Sequence, residues 1–156
     1  MRTFARHRDG IRVRMSSDEI DALRIVPELL GTVGEVPHDP AAQRLEIDVY
    51  PDDLRAAEEF RRLMASEVES ARAADRSAFT DALDALEGGN TILSGDEAEA
   101  WLMVLGEARL ALAARLGIEE EGWGEDEASA QEPAMAMLHY LSWLQGSLTD
   151  VLMETL

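Results

Sequence analysis

Apolar and polar residues alternate with period two at the start of this chain and recur every three to four positions almost everywhere after it. In TFARHRDGIRVRM, residues 3–15, Ile11, Val13 and Met15 are apolar and Arg12 and Arg14 are not. Asp9-Gly10 is a turn dipeptide, so residues 1–15 read as a β-hairpin. A two-residue Asp-Gly turn and a three-residue Arg-Asp-Gly loop place Phe4 on opposite faces; Ile11, Val13 and Met15 point inward in both. A lone hairpin is marginal in water, so this one is expected to pack on helices.

SSDEIDALRIVPELLG, residues 16–31, opens with a capping box of Ser16 and Glu19. Ile20, Leu23, Val26 and Leu30 follow helical spacing, and Pro27 is expected to kink or split the helix. Residues 32–52 hold three prolines and read as a loop, with LEIDVY, 45–50, as a short extended candidate. Residues 52–87 carry Leu54, Ala57, Phe60, Met64, Val68 and Ala71, then Ala78, Ala82, Leu83 and Leu86, at helical spacing. One helix of about 35 residues is longer than usual, so one or two helices fit and a break within 70–76 is the expectation. Residues 95–117 form the clearest helix. Ser94 and Glu97 make a second capping box, and Asp96, Glu97 and Glu99 lie where the helix dipole favours anions. Ala98, Trp101, Leu105, Ala108, Leu112 and Leu116 form a stripe, with Met103 and Leu110 opposite, so this helix is expected to be central and buried. Residues 119–132 are an acidic loop around EGWGED, and 133–154 a final helix with Met137, Leu141, Leu144, Leu148, Val151 and Leu152 inward. The expected fold is mostly α (α+β): one domain, 1–156, in which a hairpin packs on four to six helices.

Composition narrows the chemistry. The chain has 156 residues, 14 basic and 32 acidic, for a net charge of −18. Every basic residue is arginine, and five of the 14 lie within residues 1–14. The acidic remainder should repel nucleic-acid phosphates. With no cysteine, disulfides, thiolate catalysis and cysteine zinc sites are excluded. With no lysine, a P-loop and Schiff-base catalysis are excluded as well. His7, His38 and His139 are scattered, and no HExxH, calcium-loop, GxGxxG or GxSxG pattern occurs. No catalytic, cofactor-binding or metal-ligating residue is assigned and no cofactor is expected, although 32 acids leave a paired-carboxylate enzyme as a third reading. No span of about 20 apolar residues suggests a membrane helix, and the Met-Arg-Thr opening lacks a signal-like apolar run; a cytoplasmic location is expected.

Two arginines interrupt the apolar run WLMVLGEARLALAARLGI, residues 101–118. Arg115 lies in the last turn, where a cation complements the helix C-terminus. Arg109 projects beside the core stripe at mid-helix. Its stem can follow the core edge with its head in water, or its fork can hold a carboxylate from another helix; the second is the expectation. Partner-binding candidates are Trp123 between glycines in the acidic loop, for which docking into another protein and folding back onto its own core weigh equally, Trp143 on the flank of the last helix, and Arg6, Arg8, Arg12 and Arg14 of the hairpin. For Trp143, packing against the hairpin or the first helix is favoured over a binding role. The hairpin arginines read better as an edge kept soluble than as a nucleic-acid grip.

LSGDEAEAWLMVLGEARLALAARLGI, with YLSWLQGSL near the C-terminus, resembles an actinobacterial domain-of-unknown-function family, number twenty-seventeen. Ser94, Glu97, Trp101, Arg109, Leu110, Arg115, Leu116, Tyr140, Trp143 and Gln145 carry the resemblance, and Gly106 departs from a polar position of the pattern. The resemblance spans the chain and is weakest in the middle. It implies no reaction. It implies a genomic neighbourhood of the ClpS proteolytic adaptor, a JAMM-type metalloprotease and a sulfur-carrier protein. The resulting expectation is an accessory module that binds a protein partner. A nucleic-acid-associated regulator using the hairpin is the alternative, and a homodimer sharing Met103, Leu110 and Trp143 stays open.

Overall fold

The computed structural model describes residues 2–35, 37–45, 52–117 and 133–154. Strands β1 (Phe4–His7) and β2 (Gly10–Val13) pair antiparallel, and a third strand, β3 (Thr91–Leu93), pairs antiparallel with β2. Six helices occur among the described residues: α1 (Ser17–Leu23), α2 (Ile25–Gly31), α3 (Pro40–Arg44), α4 (Leu54–Glu87), α5 (Gly95–Arg115) and α6 (Pro133–Met153). The protein is therefore mostly α, with a small sheet at one end.

The hairpin adopts neither expected register. His7 faces Gly10 and Phe4 faces Val13, so Arg8-Asp9 form the two-residue turn. The reason is the neighbouring strand. Gly10 has φ +148°, and a Cβ there would lie 1.9 Å from the Leu93 carbonyl oxygen. The glycine is needed for close passage along β3 and so sits inside the strand rather than in the turn. Sliding by two residues preserves the faces: Phe4, Ile11 and Val13 are buried together. Strand β3 itself had no sequence signal, being three residues on the approach to a strong helix cap.

Both capping boxes form. Ser16 Oγ accepts from the Glu19 N–H and Ser94 Oγ from the Glu97 N–H, while each glutamate reaches back to its cap residue. Pro27 divides the first helical stretch in two. It occupies the third position of α2, where its missing N–H breaks no intrahelical bond. Arg24 closes α1 and opens α2, and its guanidinium binds Asp84 at 2.7 Å and Glu87 at 2.6 Å on α4. The hydrogen bond to Glu87, then that to Asp84, raise the arginine pKa further.

Two expectations for the middle of the chain are corrected. Residues 40–44, read as loop, form α3, capped by Asp39 with Pro40 at its start. Residues 46–50 of the extended candidate lie outside the described residues, as do the acidic loop 119–132 and Trp123. The break expected within 70–76 does not occur, and α4 runs unbroken for 34 residues. That stretch has neither glycine nor proline and is rich in alanine, arginine and glutamate, all strong helix formers. The C-terminal part of α4 buries Phe79, Ala82, Leu83 and Leu86, whereas Leu54 and Leu63 in its first half are exposed.

Helix α5 touches α2, α3, α4 and α6 together with β2 and β3. Trp101 is fully buried at the meeting of strand and helices. It packs edge-to-face on Phe4 of β1, with centroids 6.2 Å apart, and lies 4.6 Å from Phe79 of α4. Helix α5 is central as expected, but Met103, opposite the stripe, is 56% exposed. Gly106 allows close approach of α6: a Cβ there would sit 3.1 Å from Gln145 Nε2.

Candidate interaction site

The polar groups inside the helical layer are structural, and the structure reassigns them. Arg109 is partly buried and pairs with no carboxylate among the described residues. It lies one turn beyond Gly106 on α5. The carboxylate clamp expected for Arg109 is made instead by Arg115. Its Nη2 donates to Asp39 Oδ2 at 2.9 Å, its Nε to Oδ1 at 3.4 Å, and its Nη1 to Thr32 Oγ1 at 2.8 Å. Arg115 therefore does more than complement a helix terminus. Asp39 is almost fully buried and also accepts from the Gly34 and Ala41 N–H groups. The Arg115 hydrogen bond, then that from Gly34, hold the Asp39 carboxyl well below the usual carboxylate range against the opposing effect of burial.

A second buried acid was missed from sequence. Glu107 of α5 lies 3.3 Å from Arg76 and 3.8 Å from Arg72, both on α4. Arg72 also donates to the Leu45 carbonyl at 2.6 Å, tying the end of α3 to α4. The signal was present: Arg72 and Arg76 are four apart on one helix face, and Glu107 interrupts an apolar stripe.

The hairpin arginines do not form one basic surface. Arg6 Nη1 donates to the Glu154 carbonyl, just beyond the end of α6, at 3.2 Å. Arg8 lies 3.6 Å from Asp9 in the exposed turn. Arg12 and Arg14 are partly buried on β2 and just beyond it. The Nε of Arg14 is buried without a hydrogen-bond partner among the described residues.

The remaining candidate is exposed. Trp143 is 55% exposed, which corrects the expectation that it packs against the hairpin or α1. Its indole stacks on Tyr140 one turn earlier, with centroids 6.2 Å apart and an interplanar angle of 18°. Tyr140 reaches the other way. Its hydroxyl donates to Glu19 Oε2 on α1 at 3.2 Å. Burial, then the Glu19 charge, push the Tyr140 pKa up, so the hydroxyl keeps its proton and its donor role. Tyr140 thus presents an anchored ring, and Trp143 lies on it as a pre-positioned aromatic surface. His139 and Asp150 are exposed on the same helix.

Among the described residues no three or more His, Asp or Glu side chains are grouped to hold a metal ion, and no helix is long and apolar enough to cross a membrane. The fold is a helical assembly built on α5, with a three-stranded sheet at one end and an exposed aromatic pair on α6. The model of the family described as Domain of unknown function (DUF2017) matches residues 1–152, and the chain belongs to that family. No curated protein and no solved structure gives a match to it.

Proposed function

We propose that this protein is a protein-interaction module, not an enzyme, and that the Tyr140–Trp143 pair on α6 is its docking surface. The observation that carries the reading is the 55% exposure of Trp143 on a ring that is itself held by Glu19. A tryptophan fixed in place loses little entropy on binding, and such residues dominate interface energetics. The net charge of −18 favours a basic partner through long-range attraction, and an indole face receives arginine or lysine well. The genomic neighbourhood implied by the family resemblance supplies first baits, the ClpS adaptor and the sulfur-carrier protein, in a cytoplasmic setting.

The test is affinity capture from lysate with the wild-type chain and with Trp143→Ala, followed by direct binding of whatever basic protein is recovered. The variant is expected to melt within about 0.5–1 kcal/mol of wild type, as exposed substitutions do, and to lose the partner. Undiminished binding by Trp143→Ala would remove the assignment. Self-association is a second reading, favoured by exposed Met103; a dimer mass in light scattering that reverts in Met103→Glu would support it. The nucleic-acid reading draws less support, because Arg6 and Arg8 already engage groups of this chain.

A further inference from the structure

Away from the aromatic pair, the end of β2, helix α1 and the C-terminal end of α4 enclose an open cleft of about 660 Å³. One wall is apolar, from Met15, Ile20 and Leu86. Arg14 lines the cleft, and its buried Nε has no hydrogen-bond partner among the described residues. Asp21 lines it too, and no described cation pairs with it. The other acid of the cleft, Glu87, is matched by Arg24 at 2.6 Å. The cleft thus carries one cation, partly buried, and one exposed anion, neither in an ion pair among the described residues, beside an apolar wall.

An unpaired, partly desolvated guanidinium is costly in a chain with more than twice as many acids as arginines. Among the described residues no carboxylate forms an ion pair with Arg14. A ligand that completes the site needs a carboxylate for the Arg14 fork, a cationic group for Asp21, and a short apolar body for Met15, Ile20 and Leu86. A dianion would be disfavoured by Asp21 and Glu87. We propose that this cleft binds a small amino-carboxylate zwitterion with an apolar side chain, its carboxylate on Arg14 and its ammonium toward Asp21. The inference is independent of the docking surface on α6.

The test is a nitrogen-15 NMR titration of the intact chain with L-leucine, run beside 4-methylpentanoate, which lacks the amine, and isoamylamine, which lacks the carboxylate. Leucine is expected to shift the amides of Ser17, Asp21, Gly89 and Asn90, with both truncated probes weaker. Arg14→Gln should weaken leucine by roughly tenfold, the factor one charge-assisted hydrogen bond supplies. Asp21→Asn should weaken leucine and leave 4-methylpentanoate unchanged. Because Arg14→Gln can disturb the strand end, Ser17→Trp provides a second variant: it fills the cleft from an exposed helix position and keeps Arg14. Loss of leucine binding in a folded Ser17→Trp chain supports the site. Absence of shifts in the wild-type chain, leucine shifts that persist in both variants, or equal binding of leucine and 4-methylpentanoate would each overturn it.

Discussion

Asp39 accepts from two backbone N–H groups and two nitrogens of Arg115, while its neighbour His38 sits at φ 59°, where non-glycine residues are uncommon. That concentration of donors makes the carboxylate a pin for the turn into α3. Its folded pKa is depressed, so its stabilising contribution is present in full above the unfolded Asp value of about 3.9 and is lost as pH falls toward the native value. In paired melts of wild type and Asp39→Asn, the gap in melting temperature is expected to shrink from about pH 5 downward; a gap independent of pH would show that the charge of Asp39 is not what matters. The two helix arginines separate at the same scale. Arg115→Ala leaves a buried carboxylate without its cation, whereas Arg109→Ala removes mainly a packed stem. Calorimetry should find the larger loss of melting temperature in Arg115→Ala, and the reverse order would overturn the reassignment. From sequence both arginines were visible, yet the carboxylate clamp was expected at Arg109 and forms at Arg115. The helical wheel says where a side chain points along its own axis. It does not say that Asp39 arrives at Arg115 from a turn 76 residues earlier.

At the scale of elements, α4 and α5 are joined twice, by the buried contacts of Phe79 with Trp101 and by the Glu107 clamp on Arg72 and Arg76. The clamp explains how a 34-residue helix keeps its course across the segment where a break was expected. Residues 72 and 76 lie within that segment, and both hold Glu107 of α5. The pair is half-buried on the arginine side, so its worth falls between an exposed and a fully buried ion pair. Glu107→Ala is expected to cost about 2 kcal/mol in chemical unfolding, between those two ranges. A loss below about 0.5 kcal/mol would mean that water already serves the two arginines. The helices α1, α5 and α6, and both capping boxes, were legible because long periodic stretches and cap residues are local signals. Strand β3 and helix α3 were not. Each is five residues or fewer, and each forms because a neighbour supplies partners: β2 for the strand, and Asp39 with Arg115 for the helix.

Over the whole molecule the dominant fact is a charge of −18. Self-repulsion of that size opposes the compact state, and salt relieves it. Raising sodium chloride from about 0.01 M to about 0.15 M shortens the screening length from about 30 Å to about 8 Å. The melting temperature should rise over that interval, because the internal pairs at Asp39 and Glu107 are shielded from salt while the surface acids are not. A fall would show that attractive surface pairs outweigh the repulsion. The same charge argues for a cationic partner at the aromatic pair, so capture by the wild-type chain should weaken as salt rises.

The class is legible without coordinates: a helical protein with a basic β start, a strongly acidic composition, no thiol or lysine chemistry, and a buried helix from Gly95. Those properties follow from composition, periodicity and capping, which act within a few residues of chain. Which side chains find partners was set by the packing of distant segments. It buried Trp101 and exposed Trp143, gave Asp39 to Arg115, slid the hairpin until Gly10 met Leu93, and left Arg14 facing a cleft. Partnership inside a fold depends on what distant segments bring to the same place, and residue spacing along one helix or strand does not encode that arrival.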